Sequence, residues 1–301
     1  MAKHFKLTGE TKVNIKGVTL YRIECTLDFQ WAKIGDKGGW VESEDNIHDN
    51  AWVYDDAEVY GNARVSGTAR VSGTARVYGT ARVSGNAEVY GNAEVSGNAE
   101  VYGTAEVSGN AEVYGTAWVY DDAEVYGNAE VYGTARVYGN AWVYDNAWVY
   151  DDAGVSGTAE VYGTARVYDN ARVYDNARVS GTARVYDNAR VYDNAEVSGT
   201  ARVYGTARVS GNAEVSGNAR VFDDARVYDN ADYCCFQSFG RRHDTTTVFK
   251  QRNGSLRIKC GCFAGNLQEF AEAIEKTHGD SKCGKEYRAM IELIKVRFGI
   301  E

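Results

Sequence analysis

The chain has 301 residues, 44% of them hydrophobic, and a formal net charge of −9 at pH 7. No apolar run is long enough to cross a membrane, and the N-terminus lacks the apolar segment of a secretory signal, so we expect a cytoplasmic protein without a membrane partner. The six cysteines are unevenly spaced, which excludes a small secreted disulfide framework. Proline is absent, and 33 glycines with 22 tyrosines form a bias that is typical of repeats.

A six-residue repeat fills the middle of the chain. A valine recurs at every sixth position from Val53 to Val227, which makes 30 consecutive hexads, and an alanine stands two positions before each valine. Because residues two apart share one face of a strand, we expect alanine and valine inside and the residues on either side of the valine outside. A single hexad cannot bury its valine, so the units must stack on one another.

Two turn residues close each hexad, and they are always Gly-Asn, Gly-Thr, Asp-Asn or Asp-Asp. The pair Asp-Thr never occurs. A left-handed turn residue is readily Gly, Asn or Asp, whereas β-branched Thr is disfavoured there. The pattern therefore predicts a left-handed backbone conformation in every turn.

The hexads resemble those of a known class of protein. The pattern in residues 59–64, VYGNAR, resembles the hexapeptide repeat of left-handed parallel β-helices, and the runs GDKGGWV at 35–41 and AWVYD at 51–55 look like those of YdcK-like repeat proteins of bacteria and phages. The resemblance covers residues 1 to about 235 and implies triangular coils of three hexads, hence about ten coils. It implies no established activity.

These features predict an all-β fold, a left-handed parallel β-helix, with a small C-terminal α+β domain. We expect three parts: strands in residues 1–40 that cap the first coil, a solenoid over 41–235 and a separate domain over 236–301. A cap is needed because an open end would invite other strands to pair with it. Tyr233 is expected to take the valine position that closes the last coil.

The tail begins with a predicted hairpin. Residues 245–251 and 255–262 read as two strands around Asn253-Gly254, a strong turn pair. Cys260 and Cys262 share the parity of the strand's apolar residues, so we expect both to be buried thiols.

Two helices are predicted after the hairpin, which makes the tail ββαα. Asn266 with Glu269 is typical of a helix start, and Gly279 of its end. The first apolar stripe comprises Leu267, Phe270, Ala271 and Ile274, and the second helix carries Tyr287, Met290, Ile291, Ile294 and Phe298.

The outward residues of every third hexad should lie on one side of the solenoid. One such ladder is nearly all aromatic: Tyr60, Tyr78, Ser96, Tyr114, Tyr132, Tyr150, Tyr168, Tyr186, Tyr204 and Phe222. Stacked aromatic rings stabilise adjacent strands, and a flat aromatic side is also a candidate protein interface or a contact between copies of the chain. Trp142 and Trp148 are candidates for the same interface.

Charge is banded along the repeat. Residues 87–140 have a net charge of −8, and the band includes Glu88, Glu94, Glu106, Glu112, Glu124 and Glu130. Such a band could attract a basic partner or divalent cations, but a solubilising belt is the favoured interpretation. Residues 159–230 contain nine arginines against ten acidic residues, so they offer no basic field for phosphates, and we expect no nucleic-acid partner.

Residues 236–301 carry a net charge of +4. Arg241, Arg242, His243 and Asp244 lead into the hairpin, and a basic entry loop of this kind is the best candidate for recognition in the tail.

By resemblance to the enzymes that are built on hexapeptide solenoids, an activity would need either a catalytic histidine on a protruding loop or three histidines that hold zinc between subunits. The 30 hexads contain no insertion, and no histidine follows His48 until His243, so no base is available there to activate a hydroxyl. Cys260, Cys262 and His243 have the chemistry of zinc ligands, but buried thiols are the favoured interpretation. We therefore expect no catalytic residues, no cofactor and no metal.

The sequence thus favours a non-catalytic scaffold or binding rod, for instance a phage or mobile-element interaction protein, that presents a face or its terminal domain to a macromolecular partner, with a protein as the expected partner. A diverged acyltransferase is the alternative enzyme hypothesis. A third hypothesis is a tail that binds a small ligand or a metal.

Overall fold

The computed structural model describes residues 3–300. The chain divides into two compact units, Met1–Thr164 and Ala165–Glu301. The predicted fold class is confirmed: a parallel β-solenoid of about ten turns, with a small antiparallel sheet and two C-terminal helices.

The N-terminal unit opens with three longer strands, β1 (Phe5–Val13), β2 (Thr19–Cys25) and β3 (Lys37–Val41). β1 pairs antiparallel with β2, and β2 with β3. A short 3-10 helix, Glu44–Asn46, then begins at a capping box made by Ser43 and Asn46.

The remaining strands of this unit have two residues each. They are β4 (Trp52–Val53), β5 (Glu58–Val59), β6 (Arg64–Val65), β7 (Arg70–Val71), β8 (Arg76–Val77), β9 (Arg82–Val83), β10 (Glu88–Val89), β11 (Glu94–Val95), β12 (Glu100–Val101), β13 (Glu106–Val107), β14 (Glu112–Val113), β15 (Trp118–Val119), β16 (Glu124–Val125), β17 (Glu130–Val131), β18 (Arg136–Val137), β19 (Trp142–Val143), β20 (Trp148–Val149), β21 (Gly154–Val155) and β22 (Glu160–Val161).

Each two-residue strand from β4 to β19 pairs in parallel with the third strand after it, so each coil contributes one strand to each of three sheets. Val95 pairs with Val113, for example, and the backbone N–H of Glu94 donates to the carbonyl of Ala111 at 2.9 Å. The valines and alanines of the repeat, from Ala51 to Val227, are fully buried. The predicted coil of three hexads is therefore confirmed within the unit.

The motif at residues 35–41 lets β3 lie against the first coil. β3 pairs in parallel with β5, and Trp40 packs with Leu20 and Tyr60 in a small core. A Cβ atom at Gly39 would lie 2.5 Å from a methyl group of Val53 and 2.8 Å from the carbonyl oxygen of Ala57. Any side chain at this position would thus push the N-terminal strands off the coil.

From Asp55 to Asp223 the first turn residue of every hexad has the predicted left-handed φ, whereas Asp229 in the last hexad does not. Gly61 has φ of 69° and Asp145 has φ of 61°, in the left-handed region, whereas no Asn or Thr among residues 3–300 does. An aspartate in this position also accepts a hydrogen bond from the turn one coil further on: the N–H of Gly163 donates to Asp145 Oδ2 at 3.2 Å. At the second turn residue, stacked asparagines form amide chains, such as Asn92 to Asn110 at 2.9 Å.

The C-terminal unit continues the same repeat. Its two-residue strands are β23 (Arg166–Val167), β24 (Arg172–Val173), β25 (Arg178–Val179), β26 (Arg184–Val185), β27 (Arg190–Val191), β28 (Glu196–Val197), β29 (Arg202–Val203), β30 (Arg208–Val209), β31 (Glu214–Val215), β32 (Arg220–Val221) and β33 (Arg226–Val227).

The tail has more strands than predicted. Its antiparallel sheet consists of β34 (Tyr233–Phe239), β35 (Asp244–Lys250), β36 (Leu256–Cys260) and β37 (Phe263–Gly265). The β35–β36 hairpin is confirmed, but ββαα is wrong in its number of strands. Tyr233 does not occupy a valine position of the solenoid; it begins β34 and pairs with Phe249.

Both predicted helices are present, α1 (Leu267–His278) and α2 (Lys282–Phe298). Asn266 and Glu269 form the predicted capping box, and Gly279 ends α1. The predicted apolar stripes pack together with β35 and β36 in one core.

The two faces of the tail sheet have different neighbours, both within the C-terminal unit. Leu256, Ile258 and Val248 face the helices. On the opposite face, the ring of Phe249 packs edge-on against Phe222 at 5.2 Å. There Thr247 Oγ1 also accepts a hydrogen bond from the backbone N–H of Arg220 at 3.0 Å. The sheet therefore covers the final coil.

We predict that Asp145 stabilises its turn more than glycine or alanine would. Aspartate tolerates the left-handed φ, and its carboxylate accepts a hydrogen bond from the N–H of Gly163. Asp145→Gly keeps the conformation and loses the hydrogen bond, which should cost about 1 kcal/mol. Asp145→Ala should cost roughly 1–2 kcal/mol more, because its Cβ is strained at positive φ. Urea unfolding of the three proteins measures the difference, and an alanine variant as stable as the glycine variant would contradict the need for a left-handed turn.

A second prediction concerns alkaline pH and Tyr60. Burial raises the pKa of Tyr60 to about 12, and neighbouring Tyr78 adds to the effect. The folded state holds this proton more tightly than the unfolded chain, where the pKa is about 10. The resulting stabilisation is complete below pH 10 and is lost as the pH rises towards 12.

Tyr60→Phe should therefore lose less stability than the wild type between pH 10 and 12. At pH 8 it should be at least as stable, since the buried Tyr60 hydroxyl has no hydrogen-bond partner in the described part of the chain. Urea midpoints of both proteins at pH 8, 10 and 11.5 test this. A parallel decline of the two proteins would disprove a role for Tyr60.

Candidate functional site

Aromatic rings stack along the predicted ladder in each unit. In the N-terminal unit Tyr60 stacks on Tyr78 at 5.1 Å, and Tyr114 on Tyr132 at 4.8 Å. Ser96 interrupts the series between them. The planes are within 3° of parallel, as expected for equivalent side chains on neighbouring strands.

The C-terminal unit contains its own part of this ladder. Tyr168, Tyr186 and Tyr204 stack at 5.0 Å intervals, and Phe222 follows at 5.2 Å. The sequence indicates one ladder that is nearly all aromatic, but aromatic stacks also occur on the other sheets. Examples are Tyr102 with Tyr120, Tyr126 with Tyr144, and Tyr174 with Tyr192. The stacks therefore do not single out one face.

The acidic band forms two ladders of glutamates in the N-terminal unit. One contains Glu94, Glu112 and Glu130, and the other Glu88, Glu106 and Glu124. An arginine of the preceding coil closes each ladder, since Arg76 is ion-paired with Glu94 and Arg70 with Glu88.

Tyrosine hydroxyls satisfy other members of the band. Tyr114 donates to Glu130 and Tyr90 to Glu106, both at 3.0 Å. Burial raises the pKa of Glu112, and the carboxylates of Glu130 and Glu94 raise it further. The band is thus an internally bonded set of carboxylates with some mutual repulsion.

The tryptophans add exposed apolar surface to the same unit. Trp142 follows Glu124 on its sheet and is 41% exposed, and Trp148 follows Glu130. Trp118, which was not singled out in the sequence, is 37% exposed and lies against the guanidinium of Arg136 at 4.8 Å.

The predicted basic loop contributes to a cleft in the C-terminal unit, which we call the C-terminal cleft. Its first part is a polar cavity of about 320 Å³. The walls consist of Thr200, Arg202, Asn218, Arg220, His243, Asp244, Thr245, Lys259 and Gly261. Its volume is at the lower end of the range for small-ligand sites.

The second part is a neighbouring groove of about 520 Å³ in the tail. It is lined by Arg241, Arg242, Asp244, Cys260, Gly261, Cys262, Phe263, Phe270, Ala273, Ile274, Thr277, His278 and Tyr287. Asp244 and Gly261 line both parts. All four loop residues predicted from the sequence therefore lie at the cleft.

The fold explains how distant residues meet in the cavity. Arg202 and Arg220 are neighbours in register on β29 and β32. Lys259 alternates with Ile258 and Cys260 along β36, so it points away from the helices and towards the coil. His243 precedes β35 in a left-handed turn, with φ of 53°, and its Nδ1 is 3.3 Å from the carbonyl oxygen of Ser238.

The cavity has more cationic than anionic groups. Arg202, Arg220 and Lys259 supply three positive charges, and Asp244 supplies one negative charge. Over residues 3–300, no ion pair or hydrogen bond engages the charged ends of these three cationic side chains. The cavity is therefore suited to a ligand that brings its own negative charge.

Tyr287 forms part of the floor of the groove. It is 8% exposed, its hydroxyl accepts a hydrogen bond from Cys260 Sγ at 3.7 Å, and the ring of His278 stacks on it at 5.5 Å. Burial raises the pKa of Tyr287. The side chain is thus neutral at physiological pH and acts as a wall.

The prediction for the cysteines was half right. Cys260 is partly buried and packs on the tail core, whereas Cys262 is exposed. β36 ends at Cys260 because Gly261 takes a positive φ of 55°, so the alternation of faces does not reach Cys262. Across residues 3–300, no group of three or more His, Cys, Asp or Glu side chains is arranged to hold a metal ion.

The thiols should differ sharply in reactivity. Burial raises the pKa of Cys234 to about 12 and also raises that of Cys25, so neither forms a thiolate readily at pH 8. Among residues 3–300, Cys262 is the one cysteine that is exposed. We therefore predict one fast-reacting thiol out of six with a disulfide reagent at pH 8.

Cys262→Ser should abolish this fast phase, and Cys234→Ser should leave it unchanged. Reaction time courses of native and urea-unfolded protein measure it. A fast phase that survives in Cys262→Ser would contradict the assigned exposures.

No helix within the described residues is long and apolar enough to span a membrane. Comparison with curated protein sequences found no match. Four segments of the repeat region, residues 57–73, 135–151, 165–181 and 183–199, match the family model described as YdcK Beta solenoid repeat. These segments confirm that the repeat region is similar to a family of β-solenoid repeats.

Proposed function

We propose that this protein is a non-catalytic scaffold that binds an acidic segment of a partner protein in the C-terminal cleft. The observation that carries the proposal is the gathering of Arg202, Arg220 and Lys259 around one cavity without anionic partners for their charged ends. Holding like charges together is unfavourable, and an acidic ligand removes that cost.

Two features favour a protein over a nucleic acid as the partner. The cavity of about 320 Å³ has room for a side chain, whereas nucleic-acid binding needs an extended basic track along several phosphates. In addition, residues 159–230 have a net charge of −1. Turn carboxylates such as Asp187, which accepts a hydrogen bond from the N–H of Gly205 at 3.0 Å, alternate with the arginines along this part of the repeat.

The solenoid supplies the support for this site. Each coil makes the same backbone pairing with its neighbours, and the alanine and valine side chains of the interior are fully buried. Arg202 and Arg220 therefore project from a rigid surface, which lowers the entropy lost when a ligand binds.

We also propose that the coils wind left-handedly, as in hexapeptide-repeat β-helices. The support is the six-residue period itself, with three hexads to each coil and one left-handed turn residue at each corner.

The proposed function predicts a charge-specific loss of binding. The triple variant Arg202→Glu, Arg220→Glu and Lys259→Glu should retain partner proteins at least about tenfold less well than the wild type, because repulsion replaces attraction in the cavity. Arg190→Glu is the matched control, since Arg190 holds the same hexad position on another sheet and does not line the cavity. Affinity capture from cytosol of the native host, with quantitative mass spectrometry, measures the effect.

Circular dichroism should first establish that all variants are folded. Partners that are captured by the wild type and by Arg190→Glu but not by the triple variant would support the proposal. Capture of the same proteins by all three would reject it.

A further inference from the structure

We infer that the C-terminal cleft recognises two neighbouring residues of its ligand. An acidic residue binds in the cavity, and a bulky apolar residue binds in the groove. The inference rests on the proposed function and specifies its ligand: an acidic peptide segment with an apolar residue next to the acid. The two parts adjoin at Asp244 and Gly261, which line both, with the cavity on the coil side of the tail sheet and the groove on its helix side.

The cavity selects the acidic residue by charge. Its cations come from two different sources, the arginine pair on adjacent coils and Lys259 on the tail sheet, so they surround an anion from more than one side. A carboxylate accepts several hydrogen bonds from such donors at once.

The groove offers a different environment. Phe263 and Ala273 are half-buried at its wall, and Phe270, Ile274 and Tyr287 lie deeper. An apolar side chain that enters the groove removes part of this surface from water, as well as its own.

Asp244 lies between the cavity, which binds the acidic residue, and the groove, which binds the apolar residue. Its carboxylate repels a second acidic side chain from the groove, and it can accept a hydrogen bond from a backbone N–H of the bound peptide. Gly261 keeps the passage open beside it, since a Cβ at this position would lie 2.9 Å from Asp244 Oδ2.

The two parts adjoin, so neighbouring residues of one bound segment can enter them. They share two lining residues, and an extended peptide advances about 3.3–3.6 Å per residue. Arg241 and Arg242 at the groove add positive charge that favours acidic residues further along the segment. A ligand with Glu-Phe or Asp-Leu in an acidic context therefore matches the whole cleft.

The test uses the full chain and fluorescein-labelled peptides of eight residues. One peptide contains Glu-Phe-Glu at its centre, one Glu-Gly-Glu, one Gln-Phe-Gln and one phosphoserine-Phe-phosphoserine, each in a Gly-Ser context. Fluorescence anisotropy at low and at physiological salt gives the affinities. The Glu-Phe-Glu peptide should bind about tenfold more tightly than the Glu-Gly-Glu and Gln-Phe-Gln peptides.

Two variants assign each preference to its part of the cleft. Arg220→Glu should remove the advantage of Glu over Gln, and Ala273→Leu, which fills the groove, should remove the advantage of Phe over Gly. Arg190→Glu and Ala264→Leu are the controls, since neither residue lines the cleft, and both should bind like the wild type. Lys259→Ala is a milder change and replaces Arg220→Glu in the test if that variant does not fold. It should also reduce the advantage of Glu over Gln.

Each contrary result has a distinct meaning. Equal binding of Glu-Phe-Glu and Glu-Gly-Glu would overturn the apolar subsite and leave the acidic-partner proposal intact. Tighter binding of the phosphoserine peptide by tenfold or more would overturn the carboxylate in favour of a phosphate. If no peptide binds while the triple charge variant still loses captured proteins, this inference fails alone, and if that loss is also absent, the proposed function fails with it.

Discussion

The whole solenoid depends on the close approach of turns in successive coils. At Gly61 a Cβ atom would lie 3.0 Å from the carbonyl oxygen of Gly79, one coil away, and at Gly67 the corresponding distance is 2.8 Å. The turn residue must also adopt a left-handed φ, which few residue types tolerate. Glycine meets both demands, and the turns also accommodate the Cβ of an aspartate such as Asp145, which adopts the same left-handed φ while its carboxylate bonds the next turn.

This constraint fixes every other feature of the repeat. Turns that stack at one spacing hold the strands in a register of 18 residues, so the side chains of equivalent hexads lie directly above one another. Stacking is favourable for tyrosine rings and asparagine amides and unfavourable for glutamates. The glutamate ladders are accordingly closed by Arg70 and Arg76 and bonded by tyrosine hydroxyls, which limits the cost of repulsion.

Local rules predicted much of the fold. The alanine and valine interior, the left-handed turns and the capping box of Asn266 and Glu269 follow from spacing and side-chain chemistry over a few residues. The end of β36 did not, because the run from Leu256 to Cys262 alternates smoothly and only the φ of Gly261 interrupts it. β34 was missed for a similar reason, since Tyr233 continues the hexad period but pairs with a strand that comes later in the chain.

The candidate site was only partly predictable. The basic loop stands out in the sequence, and all four of its residues line the C-terminal cleft. Arg202, Arg220 and Lys259 carry no such signal: the arginines look like any others of the repeat, and Lys259 lies almost 40 residues further along the chain. They meet because Thr247 and Phe249 hold the tail sheet on the coil that bears Arg220, a long-range contact without a local sequence pattern.

The register of 18 residues has a consequence for how such a gene can change. Each six-residue hexad is encoded by 18 bases. A coding sequence built from many similar units of this length is prone to gain or lose units during replication. Any whole number of hexads preserves the alanine and valine interior, so most length variants should still fold. Only steps of three hexads return each tyrosine and arginine to its former face, so selection on a surface would leave copy numbers that differ by threes, whereas selection on folding alone would leave all of them.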